Sequence, residues 1–297
     1  MTQETALEKF NALIDTMKPP KPVANKNPVI EILRANGKGE LEYVKSDTAR
    51  RRESVFTSEN ILDHIDKRLE EFLTRKKWYE DRGIPYKYAI LFHGIPGTGK
   101  TTLAKYIAGK CERQLVTLSP TELSLTTPYL AGRIALMEDI DCDMSTMARS
   151  DDSPPTRSMG KAKDTKGNFH SASLGDLLNA IDGINSASDC IIIATTNHID
   201  KIDPALKRKG RFDDVIEVKP LEHNEIVRMV KFFFEDDSLT GFMTKYPPMT
   251  GAVAQDIILQ NYDDPTRVIK DLNNLGEKLL VPPAIRKTRK KTTKKDN

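Results

Sequence analysis

The chain is predicted to be an α/β protein with a parallel sheet flanked by helices, followed by a small all-helical unit. Between residues 88 and 218, short apolar runs alternate with helical stretches, a pattern typical of a parallel sheet covered on both faces. From Glu222 onward only helical spacing remains. The apolar runs, each predicted to form a strand, cover residues 88–92, 114–118, 133–137, 190–194 and 215–218.

The segments before this region also carry recognisable patterns. Apolar residues alternate on either side of an Asn-Gly-Lys-Gly stretch at 36–39, which predicts a β-hairpin. A helix is predicted from about Ser58, because Ile61, Ile65, Leu69 and Phe72 recur at helical spacing. We expect Thr57 or Ser58 to cap its N-terminus through a side-chain hydroxyl.

Composition limits the class of protein. Of the 297 residues 30% are charged, and no apolar run approaches the roughly 20 residues that span a bilayer. The three cysteines are far apart and share no metal-ligand spacing with the five histidines, which favours a reducing compartment. We therefore expect a soluble intracellular protein, cytoplasmic in the first instance, with other reducing compartments left open.

The strongest motif follows the first of the apolar runs in the α/β region. Residues 94–101 fit the pattern G-x-x-x-x-G-K-[ST], between a predicted strand and a predicted helix. In such a P-loop, backbone N–H groups and the helix N-terminus face the phosphates of a nucleotide. Lys100 would neutralise the β- and γ-phosphates, and Thr101 would bind Mg²⁺. The predicted nucleotide-binding residues are Gly94, Pro96, Gly97, Thr98, Gly99, Lys100, Thr101 and Thr102.

A second motif is an apolar strand that ends in three carboxylates, Glu138, Asp139 and Asp141. At the carboxyl end of a parallel strand beside a P-loop, such acids meet Mg²⁺ and the attacking water. We assign Glu138 to the metal, together with Thr101, and Asp139 to polarising the water. Because the usual order of these acids is Asp then Glu, Glu138 or Asp141 remains an alternative base. The plainer interpretation of the acids is a helix N-terminal cap.

A third set of residues follows the next predicted strand. Asn197 comes at its end, where an amide can orient water or sense the γ-phosphate. Arg208 and Arg211 flank Gly210, and guanidinium groups on such a turn are suited to reach a phosphate across an interface. A basic surface turn is the alternative interpretation, since lysines surround both arginines.

Further motifs surround these sites, at residues 77–86, 177–183, 195–198, 203–206 and 210–213. With them, residues 50–221 resemble the AAA family of ATPases. The resemblance is most specific to the mitochondrial chaperone branch that translocates the Rieske iron–sulfur protein, which shares the Glu-Asp order. It implies a hexameric or heptameric ring, Asn197 as a sensor, and Arg208 and Arg211 as fingers acting on the neighbouring subunit. Val55 and Phe56 are candidate adenine-pocket walls, with an ordinary core role as the alternative.

Together these patterns divide the chain into four segments. Residues 1–49 form an N-terminal appendage with a possible helix and the hairpin. Residues 50–221 form the nucleotide-binding domain, interrupted by a polar insertion at 145–172. Residues 222–283 form a helical lid, and 284–297 a disordered basic tail.

The resemblance predicts an ATP hydrolase that remodels or translocates a protein client as a homo-oligomer, with ATP and Mg²⁺ as cofactors. Three features depart from the branch. Residues 1–50 are too short for its membrane helix and dedicated domain. The 119–132 connection is too short for a full crossover helix, and Tyr129, Leu130, Ala131 and Gly132 match a pore loop only approximately. The insertion is basic and polar, which suits either a solvated loop or a pore contact.

An alternative function is association with nucleic acid. The tail carries seven Lys/Arg against one acid, whereas the rest of the chain is net −3. A cationic tail of this kind would give salt-sensitive, sequence-indifferent binding. A solubilising tail or a localisation signal has the same composition.

Overall fold

A computed structural model describes residues 28–144, 174–182, 188–208, 210–236 and 247–280. The possible helix near the N-terminus, the insertion at 145–172 and the basic tail at 284–297 lie outside the described residues. The four-segment division of the chain remains a prediction.

Seven strands form one sheet, in the order β2-β1-β4-β5-β6-β3-β7. Every neighbouring pair is parallel except β1 and β2. The predicted α/β class is confirmed, and the five predicted strands are β3 to β7. The strands are β1 (Val29–Ala35), β2 (Leu41–Thr48), β3 (Lys87–His93), β4 (Leu115–Thr117), β5 (Ile134–Met137), β6 (Cys190–Thr196) and β7 (Asp214–Glu217).

The predicted hairpin is confirmed as β1 and β2, and it belongs to the same sheet. Strand β1 runs parallel to β4, with Ile32 opposite Leu115 and Arg34 opposite Thr117. This pairing leaves β2 at the edge of the sheet, with most of its side chains exposed. The hairpin therefore extends the sheet on the side away from β3.

Helices cover both faces of the sheet. They are α1 (Glu59–Thr74), α2 (Lys76–Glu80), α3 (Lys100–Cys111), α4 (Leu123–Thr126), α5 (Ile140–Met144), α6 (Leu174–Asp182), α7 (His223–Phe234), α8 (Gly251–Gln260) and α9 (Pro265–Leu280). In β3, Tyr88, Ile90 and Phe92 share a core with α1 and α3, whereas Ala89 and Leu91 pack with α4 and α6. Burial on both faces explains why the strands read as nearly continuous apolar runs.

Helix α1 begins one residue after Ser58, as its apolar spacing predicts. Its buried face consists of Leu62, Ile65, Leu69 and Phe72. The predicted cap is wrong. Ser58 is the N-cap residue but its side chain makes no capping bond, and the hydroxyl of Thr57 has no hydrogen-bond partner among the described residues.

The connection from β4 to β5 contains the four-residue helix α4 and a short 3-10 turn, consistent with the short crossover expected from the sequence. Strand β7 is followed by α7, α8 and α9, which share a third core built on residues such as Ile226, Val230 and Leu272. Phe56, which precedes α1, packs against this core. Within the described segments, no helix is long and apolar enough to cross a membrane.

Candidate nucleotide-binding site

A cavity of about 400 Å³ opens where the carboxyl ends of β3, β5 and β6 meet α7 and α8. The loop between β3 and α3 lines it from Pro96 to Thr102, and Glu138, Asp139 and Asn197 line it from the neighbouring strands. Of the predicted nucleotide-binding residues, only Gly94 does not line the cavity. The structure thus brings three separate sequence motifs to one edge of the sheet, as the parallel topology requires.

The loop after β3 is tightly constrained at its first residue. Gly94 has φ of +146°, and a Cβ there would lie 2.3 Å from the carbonyl oxygen of Val218. At the other end of the loop, Gly99 has φ of +99° and is the N-cap residue of α3. Both positions favour glycine, because L side chains rarely adopt these backbone angles.

Lys100 is buried at the start of α3, with 8% of its surface exposed. Its ammonium group donates to the carbonyl oxygens of Gly94 (2.7 Å) and Ile95 (3.1 Å), and to Oδ1 of Asn197 (2.7 Å). Burial lowers the pKa of Lys100, against the opposing effect of Asp139 and Asp141. Three neutral oxygen atoms therefore hold the lysine within the loop, and among the described residues no carboxylate contacts its ammonium group directly.

Thr101 and Glu138 form the predicted metal pair. The Thr101 hydroxyl donates to Oε1 of Glu138 over 2.5 Å, so that two oxygen donors from different elements meet at the cavity. Oxygen ligands of this type, few in number and supplemented by phosphates, suit Mg²⁺. The residues present therefore fit the ion that the sequence predicts.

Asp139 has an unusual backbone for a residue other than glycine, with φ of +49°. Its N–H donates to Oγ1 of Thr195 (3.1 Å), and its Oδ1 accepts from Nδ2 of Asn197 (3.0 Å). Since Asn197 also accepts from Lys100, a hydrogen-bonded chain joins Lys100, Asn197 and Asp139. Left-handed backbone in such a residue is uncommon and is often found at functional sites.

Asp141 has a different environment from the other two acids. It is 5% exposed and does not line the cavity. Burial opposes its charge, but hydrogen bonds from the Thr196 hydroxyl (2.7 Å) and the Asn197 N–H (3.2 Å) hold its pKa below the usual value. Asp141 thus fixes the end of β6, because Thr196 and Asn197 both donate hydrogen bonds to it.

The two predicted finger arginines lie away from this cavity and differ from each other. Nε of Arg211 donates to Asp182 (2.6 Å) and its Nη1 to the carbonyl of Ala205 (2.9 Å). Arg208 is exposed and has no side-chain partner within the described part of the chain. The N–H of Asp213, two residues after Arg211, donates to the carbonyl oxygen of Ala89, which lies about 16 Å along β3 from Gly94.

The end of the cavity opposite Lys100 is apolar. The ring of Phe56 lies 5.6 Å from that of Phe232 and 6.4 Å from that of Phe233, centroid to centroid. Val55 and Met229 complete this wall. The cavity therefore has a polar end built from the sheet and an aromatic end built partly from α7.

The match to a family model decides what this domain is. The model for the ATPase family associated with various cellular activities (AAA) matches residues 90–140 and 156–220. The chain contains an AAA ATPase domain. Members of this family hydrolyse ATP, and the match covers the P-loop, the acidic strand and the Arg208 turn.

Three relatives show the similarity outside the AAA domain as well. The human mitochondrial chaperone BCS1 is 33% identical over 189 residues, 61% of this chain and 43% of that protein. The probable mitochondrial chaperone BCS1-B of Dictyostelium discoideum is 32% identical over 252 residues, 75% and 54%. An AAA-ATPase of Arabidopsis thaliana is 30% identical over 249 residues, 76% and 52%. The chain spans about half the length of these relatives.

Sequence reasoning missed the part of the site that α7 and α8 provide. Phe233 shares the helical spacing of Ile226, Met229 and Val230, but it is 37% exposed and lines the cavity beside Phe232. Three consecutive phenylalanines at 232–234 were the available signal, because one helical stripe cannot bury all of them.

Arg228 of α7 joins the C-terminal helices to the segment before α1. Its Nη2 donates to the carbonyl oxygens of Val55 (3.0 Å) and Thr57 (3.1 Å), and its Nη1 pairs with Glu59. The guanidinium carbon lies 5.8 Å from the centre of the Phe56 ring. One lid residue therefore fixes the backbone that carries the aromatic wall.

Proposed function

We propose that the chain binds Mg-ATP and hydrolyses it at a site shared between subunits of a homo-oligomeric ring of six or seven, and uses the energy to remodel or translocate a protein client. The observation that carries the proposal is the convergence of Lys100, Thr101, Glu138, Asp139 and Asn197 on one end of the cavity. These are the groups that phosphoryl transfer to water needs: a cation, metal ligands, a base and an orienting amide.

Each side chain has a role that its surroundings support. Lys100 neutralises the β- and γ-phosphates from within the loop. Asp139, aligned by the amide of Asn197, accepts the proton of the attacking water. Thr101 and Glu138 hold Mg²⁺, and the bound ion supplies neutralisation of charge on the phosphate oxygens.

The shared site is supported by Arg208, whose side chain is exposed and has no partner among the described residues. Arg208 does not line its own cavity, whereas Arg211 is tied to Asp182 and Ala205. We propose that Arg208 acts on the nucleotide of the neighbouring subunit and that Arg211 fixes the turn from which Arg208 projects. The two arginines, treated alike from the sequence, would then have separate roles.

Mixed oligomers test the shared site. Arg208→Ala chains, added in increasing fraction to wild-type chains, should depress ATP turnover by more than their fraction, as measured by phosphate release. Lys201→Ala, an exposed cation of the same region, is the matched control and should not depress it. Strictly proportional loss with Arg208→Ala, or full turnover by a monomer in sedimentation, would contradict the ring.

A protein client is proposed from similarity to proteins named as mitochondrial chaperones. The Arabidopsis relative is named only as an AAA-ATPase. The nucleic-acid alternative rests on the 284–297 tail and the 145–172 insertion. Deleting residues 284–297 should abolish salt-sensitive binding to DNA or RNA if that alternative holds, and unchanged or absent binding excludes it.

A further inference from the structure

A group of ion pairs joins the start of α1 to α7. Glu59, the first residue of α1, contacts two arginines with its two oxygens. Its Oε2 accepts from Nη2 of Arg52 (2.9 Å), and its Oε1 pairs with Nη1 of Arg228. Arg52 precedes α1 in the chain, whereas Arg228 belongs to the C-terminal helices. One carboxylate therefore stands between two guanidinium groups from separate parts of the fold.

Arg228 depends on this carboxylate. Its side chain is only 32% exposed, and among the described residues Glu59 is the only acid that pairs with it. Its Nη2 binds two neutral carbonyl oxygens, and its Nε is buried without a hydrogen-bond partner in the described part of the chain. A guanidinium removed from water is costly unless a carboxylate balances its charge. Loss of the Glu59 charge would therefore loosen Arg228 from the carbonyl oxygens of Val55 and Thr57.

Arg52 does not depend on Glu59 in this way. Its guanidinium also binds Asp63 (2.7 Å) and Asp66, and Asp66 is bonded in turn to side chains of α3. With Glu59 neutralised, Arg52 would keep two carboxylates, and Arg228 would keep none within the described residues. Burial lowers the pKa of Arg228, and the positive charge of Arg52 lowers it further, so the two guanidinium groups repel each other.

We propose that Glu59 is a positioning residue of the nucleotide site, which holds the ring of Phe56 at the cavity by balancing the charge of Arg228. The base of a nucleotide with its phosphates at Lys100 would lie at this aromatic end. Glu59 itself does not line the cavity, so it would act only through Arg228 and the backbone that Arg228 binds. The inference rests on the proposed ATP-binding function and adds to it a residue that contacts no nucleotide.

Glu59→Gln tests the role, because glutamine keeps the shape of the side chain and removes its charge. We expect ATP to bind about tenfold more weakly by calorimetry, the order for one charge-assisted hydrogen bond, with kcat at saturating ATP within about twofold of the wild type. Asp63→Asn is the matched control, since Asp63 binds the same Arg52 from the same helix but is not paired with Arg228. Its affinity for ATP should stay within about twofold of the wild type.

A double-mutant cycle separates this role from a general effect on stability. Arg228→Met removes the guanidinium and keeps an apolar stem, and it should weaken ATP binding about as much as Glu59→Gln. Added to Arg228→Met, Glu59→Gln should cause no further loss. Unchanged ATP affinity in Glu59→Gln, an equal loss in Asp63→Asn, or losses that multiply in the double variant would each overturn the role of Glu59. A wild type that binds no ATP would instead overturn the proposed function.

Discussion

The two ends of the cavity are built in different ways. At the phosphate end, Lys100, Asn197 and Asp139 are joined by hydrogen bonds of 2.7 and 3.0 Å, and all come from the carboxyl ends of strands or the loop after β3. At the base end, Phe56, Phe232 and Phe233 meet through ring contacts of 5.6 and 6.4 Å, and Phe56 packs against the core of the C-terminal helices.

This difference separates chemistry from recognition. Polar groups on one sheet edge are fixed relative to each other, which suits a reaction that depends on alignment. The aromatic groups belong to α7 and to the segment in front of α1, and they meet through ring contacts. Substitutions at the phosphate end should therefore act mainly on turnover, and those at the base end mainly on affinity.

Asp139→Asn should have the largest effect. We expect kcat to fall about 10³-fold, because general-base catalysis typically contributes 10²- to 10⁴-fold, with ATP affinity nearly unchanged. Asp141→Asn is the comparison, since Asp141 lies outside the cavity. Asp141→Asn should lower the unfolding temperature, and it should lower kcat less than Asp139→Asn does. Phosphate release, calorimetry and thermal melts measure these effects, and wild-type turnover in Asp139→Asn would move the base to another acid.

Lys100→Met should lower turnover about 10²- to 10³-fold and also weaken ATP binding, because the lysine supplies the positive charge of the loop. Lys105→Met is the control on the same helix, since Lys105 pairs with Asp47 and does not line the cavity. Retained ATP binding and turnover in Lys100→Met would refute the P-loop assignment.

Phe233→Ala should leave kcat at saturating ATP within about twofold but raise the Kd for ATP about tenfold. Loss of one ring stacked on a base is worth roughly 1–3 kcal/mol. Tyr262→Ala removes a lid aromatic that is 74% exposed and outside the cavity, and it should change neither quantity. A fall in kcat without a change in Kd would break the division between the two ends.

Thr195→Val should have the smallest effect. Oγ1 of Thr195 accepts the N–H of Asp139, so its loss should relax the left-handed backbone and lower kcat by about fivefold, the order expected for one neutral hydrogen bond. Thr195→Ser should restore turnover. A variant as active as the wild type would show that Asp139 holds its conformation without this bond.

Sequence reasoning reached the phosphate end more fully than the base end, for a physical reason. Lys100 and Thr101 are adjacent in the chain, and parallel strands must bring Glu138, Asp139 and Asn197 to the same edge. The aromatic wall instead joins Phe56 to residues more than 170 positions later, and helical spacing specifies a face without specifying what covers it. The helical spacing of Phe233 could not show that its face borders a cavity.

The left-handed backbone of Asp139 and the missing cap of α1 could not be predicted from the sequence either. Neither follows from residue type, since Asp occupies left-handed regions only occasionally and Ser or Thr before a helix usually caps it. Both depend on contacts made by the folded chain. The Thr195 hydroxyl holds the backbone of Asp139, and Arg228 binds the carbonyl oxygens of Val55 and Thr57 in front of the uncapped start of α1.

Arg228 has a mechanical consequence. The guanidinium belongs to α7, yet the oxygens it holds belong to the segment in front of α1. An outward movement of α7 would therefore either break these bonds or pull the segment with it. Opening would then draw Phe56 and Thr57 away from a nucleotide whose phosphates remain anchored on the sheet. Release of the nucleotide would therefore be ordered: the base would leave its contacts first, and the triphosphate last.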